Sequence, residues 1–196
     1  MRQKARHLIF ALLLVLPAML GGCQKNKAVH ILWPELDDPY IKVVREWTRT
    51  GSVYSGIEAD IIAQATLQSE SWQQAYVQER ARVYSLTEAE QKQLSQRLAG
   101  SLHKETRIFL SVYSPRSEQT RINLHDSLWS VFIKDQDQKI YPVEIRPVRQ
   151  PLATLQAFYP HVRQWRQNYT LTFPSAARDS LKMIMTGPLG RIEFKW

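Results

Sequence analysis

The stretch Thr106-Arg-Ile-Phe-Leu-Ser-Val-Tyr113 decides how the rest of the chain is read. Ile108, Leu110 and Val112 alternate with Phe109, Ser111 and Tyr113, and a period of two sends alternate side chains to opposite faces of a strand. The alternation returns downstream at Trp129, Val131 and Ile133, at Val143 and Ile145, and at Tyr169, Leu171 and Phe173. It continues at Leu181, Met183 and Met185, and ends with Ile192, Phe194 and Trp196. Turn-forming residues separate the runs: Ser114-Pro-Arg-Ser117, Asp135-Gln-Asp-Gln138, Phe173-Pro-Ser175 and Gly187-Pro-Leu-Gly190. Roughly six or seven short strands in this half predict an antiparallel β-sandwich of immunoglobulin-like architecture over residues 106–196. The longer connection from Arg149 to Gln167 carries Leu152, Leu155 and Phe158 and is expected to hold a short helix crossing between the sheets.

Upstream of Thr106 the pattern reads as helical, which makes the expected fold class α+β, with a mainly helical segment over residues 36–105. Asp37-Asp38-Pro39 opens a turn or short helix through Tyr40-Ile-Lys-Val-Val-Arg-Glu-Trp47. Ile57, Ile61, Ile62 and Ala65 share one face of a helical projection, and Trp72, Ala75, Tyr76 and Val83 share the next. Thr87-Glu-Ala-Glu90 matches a capping box, a Thr whose side chain and a Glu three residues on satisfy each other's backbone amides. It opens a helix with Leu94 and Leu98 four apart, which Gly100 is expected to end. The acidic pairs Glu58/Asp60 and Glu88/Glu90 fit first-turn positions, where a carboxylate offsets the helix dipole.

The N-terminus has its own logic. Arg2, Lys4 and Arg6 precede an apolar run from Leu8 to Leu16; Pro17 breaks it, and Ala18-Met-Leu-Gly-Gly22 leads to the single cysteine, Cys23. A cationic start, a short apolar core and a small-residue cleavage zone make residues 1–22 a secretory signal peptide. The apolar run is shorter than the about 20 residues that span a bilayer as a helix. Leu20-Gly21-Gly22-Cys23 resembles the lipobox of bacterial lipoproteins. That resemblance implies diacylglyceryl attachment to the Cys23 thiol, cleavage between Gly22 and Cys23, and acylation of the new amino group. Residues 23–35 would then be a lipidated tether. Two or more acyl chains hold a protein to a bilayer, whereas one binds marginally. In enterobacterial lipoproteins an aspartate after the cysteine favours retention in the inner membrane; Gln24 stands there, which implies the periplasmic face of the outer membrane.

Charge and cysteine use bound the function. Without residues 1–22 the formal charge falls from +8 to +5, because Arg2, Lys4 and Arg6 leave. That is mildly cationic and short of a nucleic-acid signature. With Cys23 acylated no thiol remains for disulfides, cysteine-ligated zinc or nucleophilic catalysis.

Chemical motifs are weak throughout. Ser101-Leu-His-Lys104 has the spacing of a Ser-x-x-Lys nucleophile motif, but Ser-Asp-Asn and Lys-Thr-Gly partners are missing. It reads as a polar helix end. His30, His103, His125 and His161 sit in separate segments without metal-ligand spacing. Asp135-Gln-Asp137 lacks the glycine and closing glutamate of a calcium loop and reads as a hairpin turn. No cofactor or metal is expected. The least ordinary stretch is Tyr159-Pro-His-Val-Arg-Gln-Trp-Arg-Gln-Asn-Tyr169, which follows Arg146 and Arg149. Tyr159, His161, Arg163, Trp165 and Arg166, with the two upstream arginines, form a candidate interaction surface, since aromatics and arginine are the enriched types in interface hot spots. The same residue types also anchor cores and loops. The expected function is a membrane-anchored, non-catalytic envelope module that binds or assembles with another protein. The alternatives are an envelope enzyme, or a lipid or ligand carrier with its site between the helical layer and the sandwich.

Overall fold

The computed structural model describes residues 37–174 and 180–196; residues 1–22 and 23–35, expected from the sequence to be signal peptide and lipidated tether, lie outside them, Cys23 included. The elements in chain order are α1 (Pro39–Glu46), β1 (Thr48–Ser55), β2 (Glu58–Leu67), α2 (Glu70–Tyr84), α3 (Glu88–Leu102) and β3 (Thr106–Tyr113). After a 3-10 turn (Ser117–Thr120) come β4 (Ser130–Asp135), β5 (Gln138–Ile140), β6 (Glu144–Pro147), α4 (Leu152–Phe158), β7 (Gln167–Phe173), β8 (Lys182–Gly187) and β9 (Gly190–Lys195). The fold is α+β, with two antiparallel sheets ordered β1-β2-β3-β7-β6 and β5-β4-β8-β9.

Period-two burial explains the core. Ile61, Ala63, Ala65 and Leu67 of β2, Ile108, Leu110 and Val112 of β3, and Tyr169, Leu171 and Phe173 of β7 face one way. They share a single hydrophobic cluster with Val131, Ile133, Met183, Met185, Ile192 and Phe194 of the second sheet. The sheets also meet along one edge. A Cβ added at Gly51 in β1 would stand 2.2 Å from Ile192 Cγ2 of β9, and Arg49 Nε donates to the Lys195 carbonyl at 2.6 Å.

The opposite face of the first sheet carries the helices. Phe109 points away from the sheet–sheet core into a second cluster with Tyr40, Val44, Trp72, Leu155, Phe158, Tyr159 and Val162. The predicted capping box is present: Thr87 Oγ1 accepts from Glu90 N, and Glu90 Oε2 accepts from Thr87 N. Hydrogen bonds to its carboxylate from Thr87 N, and then from Thr87 Oγ1, hold the Glu90 pKa below its usual range.

Four readings of the sequence are corrected. Residues 48–67 are a β-hairpin and not a helix, so Ile57, Ile61, Ile62 and Ala65 do not share a helical face. Gly56 makes the turn at φ +65, a region where glycine lacks the steric penalty of other residues, and Glu58 and Asp60 lie in a strand and not in a helical first turn. This hairpin pairs with β3, and Pro39–Trp196 is one compact unit. Gly100 lies inside α3, which continues to Leu102. The helix α4 joins β6 to β7 of the same sheet and does not cross between sheets.

Two predictions follow the packing of the β8–β9 turn and its outer face. A Cβ at Gly187 would stand 2.2 Å from the Leu128 carbonyl oxygen, a backbone atom that cannot rotate away. Gly187→Ala should therefore destabilise by about 1–3 kcal/mol, read as a lowered urea midpoint. On the same hairpin Glu193 pairs with Lys182 at 2.7 Å and Arg191 at 2.6 Å. Hydrogen bonds from Lys182 and then Arg191 hold its carboxyl down to about 2. A depressed carboxylate contributes stability above its unfolded pKa and loses it as pH falls through the folded one. The melting-temperature deficit of Glu193→Gln should thus be full at neutral pH and close between pH 4.5 and about 2. A deficit constant across that window would contradict the triad.

Candidate functional site

The basic and aromatic stretch after α4 divides into roots and tip. The roots are buried. Tyr40 Oη donates to the Phe158 carbonyl at 2.8 Å, and Val162 is fully buried. The Tyr159 ring stacks on Phe109 at 3.6 Å between centroids and 8° between planes, with Trp72 at 5.7 Å on a second side. Gln68 Nε2 donates to Tyr159 Oη at 2.9 Å. Burial pushes the Tyr159 phenol far above its ordinary range, Tyr76 adding to the effect and Gln68 opposing it. Tyr159 is therefore an anchor and takes no part in an exposed surface.

The tip is exposed. Arg163 Nη1 donates to the Pro160 and Val162 carbonyls, which fixes the turn from within. Trp165 then stands 79% exposed with φ +71. A left-handed conformation is uncommon for a bulky residue and costs of order 1–3 kcal/mol. Arg166 is half-buried and its Nη1 reaches the Ser111 carbonyl at 3.4 Å; burial, then the neighbouring Arg163, lower its pKa. Arg146 lies on the edge strand β6, paired with Glu144 at 2.6 Å. Arg149 is exposed beyond it. Of the seven residues read from sequence, Arg163, Trp165 and Arg166 thus share one turn, Arg146 and Arg149 lie on the β6 edge and just past it, and Tyr159 and His161 belong to the packing beneath.

His161 is mostly enclosed, its ring 6.1 Å from those of Phe109 and Tyr159. Its Nε2 is buried without a protein partner. Three more such atoms lie on one row of the same sheet face: Gln64 Oε1, Ser111 Oγ and Asn168 Oδ1. Gln64 pairs in register with Ser111, and Ser111 with Asn168. These atoms are buried, so the polar row can hold small hydrogen-bonding groups, of which water is the commonest in protein interiors.

A larger concavity has lining residues that were not singled out from the sequence, although a carrier's site between the helices and the sandwich was among the alternatives. A groove of about 610 Å3 lies at the open end of the α2–α3 hairpin. Its apolar wall is Trp47, Leu67, Val77, Leu98, Leu102 and Trp196. Ser69, Glu70, Gln73, Gln74, Ser95 and His103 supply the polar groups. Trp196 Nε1 donates to the Trp47 carbonyl at 2.8 Å, which brings the two ends of the described domain together at this wall. Glu70 Oε1 accepts from Gln74 Nε2 at 3.2 Å, and His103 caps the end of α3. The visible sequence signal was Leu94 and Leu98 four apart; Leu102 continues the row. The contact of Trp47 with Trp196 had none.

The remaining motifs resolve locally. Ser101 Oγ donates to the Leu98 carbonyl inside the last turn of α3. The Asp135–Asp137 stretch forms the β4–β5 turn, with Gln136 at φ +50. Among the described residues no three His, Cys, Asp or Glu side chains converge as metal ligands, and no helix is long and apolar enough to cross a membrane. No family model, curated protein or solved structure matches the chain.

Desolvation first, then Arg166 and Arg163, pushes the His161 imidazole down to about 4 from 6.5. A histidine kept neutral in the fold contributes stability above its unfolded pKa. That contribution is lost as pH falls through the folded one, because the unfolded chain takes up the proton first. Stability should decline between pH 6.5 and about 4, and His161→Gln should flatten that segment of the curve. An imidazole carbon resonance of His161 titrating near 6.5 would contradict the enclosure.

Proposed function

We propose that the chain is a lipid-anchored protein of the bacterial envelope, acylated at Cys23, whose folded part is a non-catalytic module that binds another envelope protein. The periplasmic face of the outer membrane is its place in this reading. The same reading takes the two sheets as halves of a sandwich of immunoglobulin-like architecture, supported by the single hydrophobic cluster their inner faces share.

One observation carries the binding surface: the turn that presents Trp165 between Arg163 and Arg166. An indole 79% exposed in a left-handed conformation costs stability, and its rigid roots in Tyr159 and Val162 hold it at a fixed place. Tryptophan and arginine are the residues whose truncation costs most at interfaces. Cys23 is the membrane half of the reading, supported by the lipobox resemblance of Leu20-Gly21-Gly22-Cys23.

The two halves have separate tests. Metabolic labelling with a radioactive fatty acid should tag the chain, and Cys23→Ser should remove the tag. For the surface, Trp165→Gly relieves the backbone strain, so its melting temperature should equal or exceed that of the native chain. The same substitution should abolish the protein cross-link formed in intact cells by a photoreactive residue at the exposed position of Gln164. A cross-link indifferent to Trp165, or a large loss of stability on substitution by glycine, would sink the interface reading.

A further inference from the structure

We infer that the groove at the open end of the α2–α3 hairpin binds a single-chain amphiphile with an uncharged or cationic head group. The site is separate from the Trp165 turn, so the failure of either reading leaves the other standing.

The first argument is the unfinished packing of α3. Leu94, Leu98 and Leu102 recur every four residues and lie on one helical face. Leu94 is 7% exposed and is the one buried residue of the helix. Leu98 and Leu102 face the groove, so the apolar stripe runs off the protein core and over a gap. Trp47, Leu67 and Trp196 close the opposite wall with equally apolar surface. About 610 Å3 lies within the range of small-molecule sites, roughly 300–1,000 Å3. A flexible apolar chain is what two such walls can bury.

The second argument concerns the head group. The polar lining comes from the helical hairpin: Ser69, Glu70, Gln73 and Gln74 at the start of α2, and Ser95 and the cap residue His103 towards the end of α3. The Glu70 carboxylate is the one acidic group of the lining, and no lysine or arginine accompanies it. An anionic head would sit beside a like charge in a partly apolar site, whereas a hydroxylated or cationic head finds acceptors there.

The test uses the full chain in lipid nanodiscs, with empty discs as reference, and follows tryptophan fluorescence because Trp47 and Trp196 form part of the wall. The probes are hexyl, heptyl and octyl glucoside below their micelle concentrations, with octyl sulfate and octyltrimethylammonium as charged comparisons. Saturable binding that tightens about fourfold per added methylene is expected, with octyl sulfate at least about tenfold weaker than the glucoside. Leu98→Trp should fill the groove and weaken all probes about tenfold or more. Glu70→Lys should reverse the order of the two charged probes, and it carries the test if the tryptophan variant does not fold. No saturable change beyond empty discs, no dependence on chain length, or equal binding of sulfate and glucoside would overturn the inference.

Discussion

Strand β3 is buried on both faces, and the molecule is organised by that double burial. Ile108, Leu110 and Val112 enter the cluster shared by the two sheets, while Phe109 turns into the cluster that holds the helices. Neither cluster exists without the other side of the same strand. The Phe109–Tyr159 stack is the clearest consequence. It ties the segment after α4 to the centre of the sheet, and so fixes the starting point of the turn that lifts Trp165 into solvent. A mobile loop would lose entropy on ordering around a partner; a turn rooted this way has already lost it in folding.

The β-rich half was legible because most of its strands pack one face or both on a core built by period-two side chains; the expected pair Val143 and Ile145 is an exception, Val143 being exposed and outside β6. The alternations at Val131 and Ile133, Leu171 and Phe173, or Met183 and Met185 all became buried pairs. The hairpin β1–β2 was not legible, and the reason lies in its side chains. Ile61 and Ile62 are adjacent, and only Ile61 faces the sheet–sheet core, with the small Ala63 and Ala65 following it inward. Adjacent isoleucines and scattered alanines satisfy a helical projection as readily as a strand. What decides between them is the register with β3, Ile62 to Tyr113 and Leu67 to Ile108. That pairing spans two intervening helices of 15 residues each and leaves no local mark.

The basic and aromatic stretch was legible as a composition but not as a geometry. Tyr159 and Trp165 look alike in sequence, yet one stacks in the interior and the other projects from a left-handed residue. Helix α4 and Val162 decide this, by placing the first in the helical layer and carrying the chain past it. The groove was harder still. Its walls come from residues near 47, 67, 98 and 196, and no window of sequence holds two of those walls at once.

The way the groove is closed makes its shape a property of the whole fold. The Trp47 carbonyl accepts from both Leu67 N and Trp196 Nε1, and Trp47 packs against both hydrophobic clusters. One residue between α1 and β1 therefore joins the first strands, the last strand and the helical layer. Trp196 is held again by its own amide, which donates to the Leu181 carbonyl at 3.0 Å. The wall of the groove is complete only when β9 is docked, so an unfolded or partly frayed chain has no such site. Whatever occupies the groove consequently favours the docked state by mass action. The helix α3, with Leu94 as its one buried residue, is the element with most to gain, because an apolar guest would cover the leucines that the protein itself leaves half-covered.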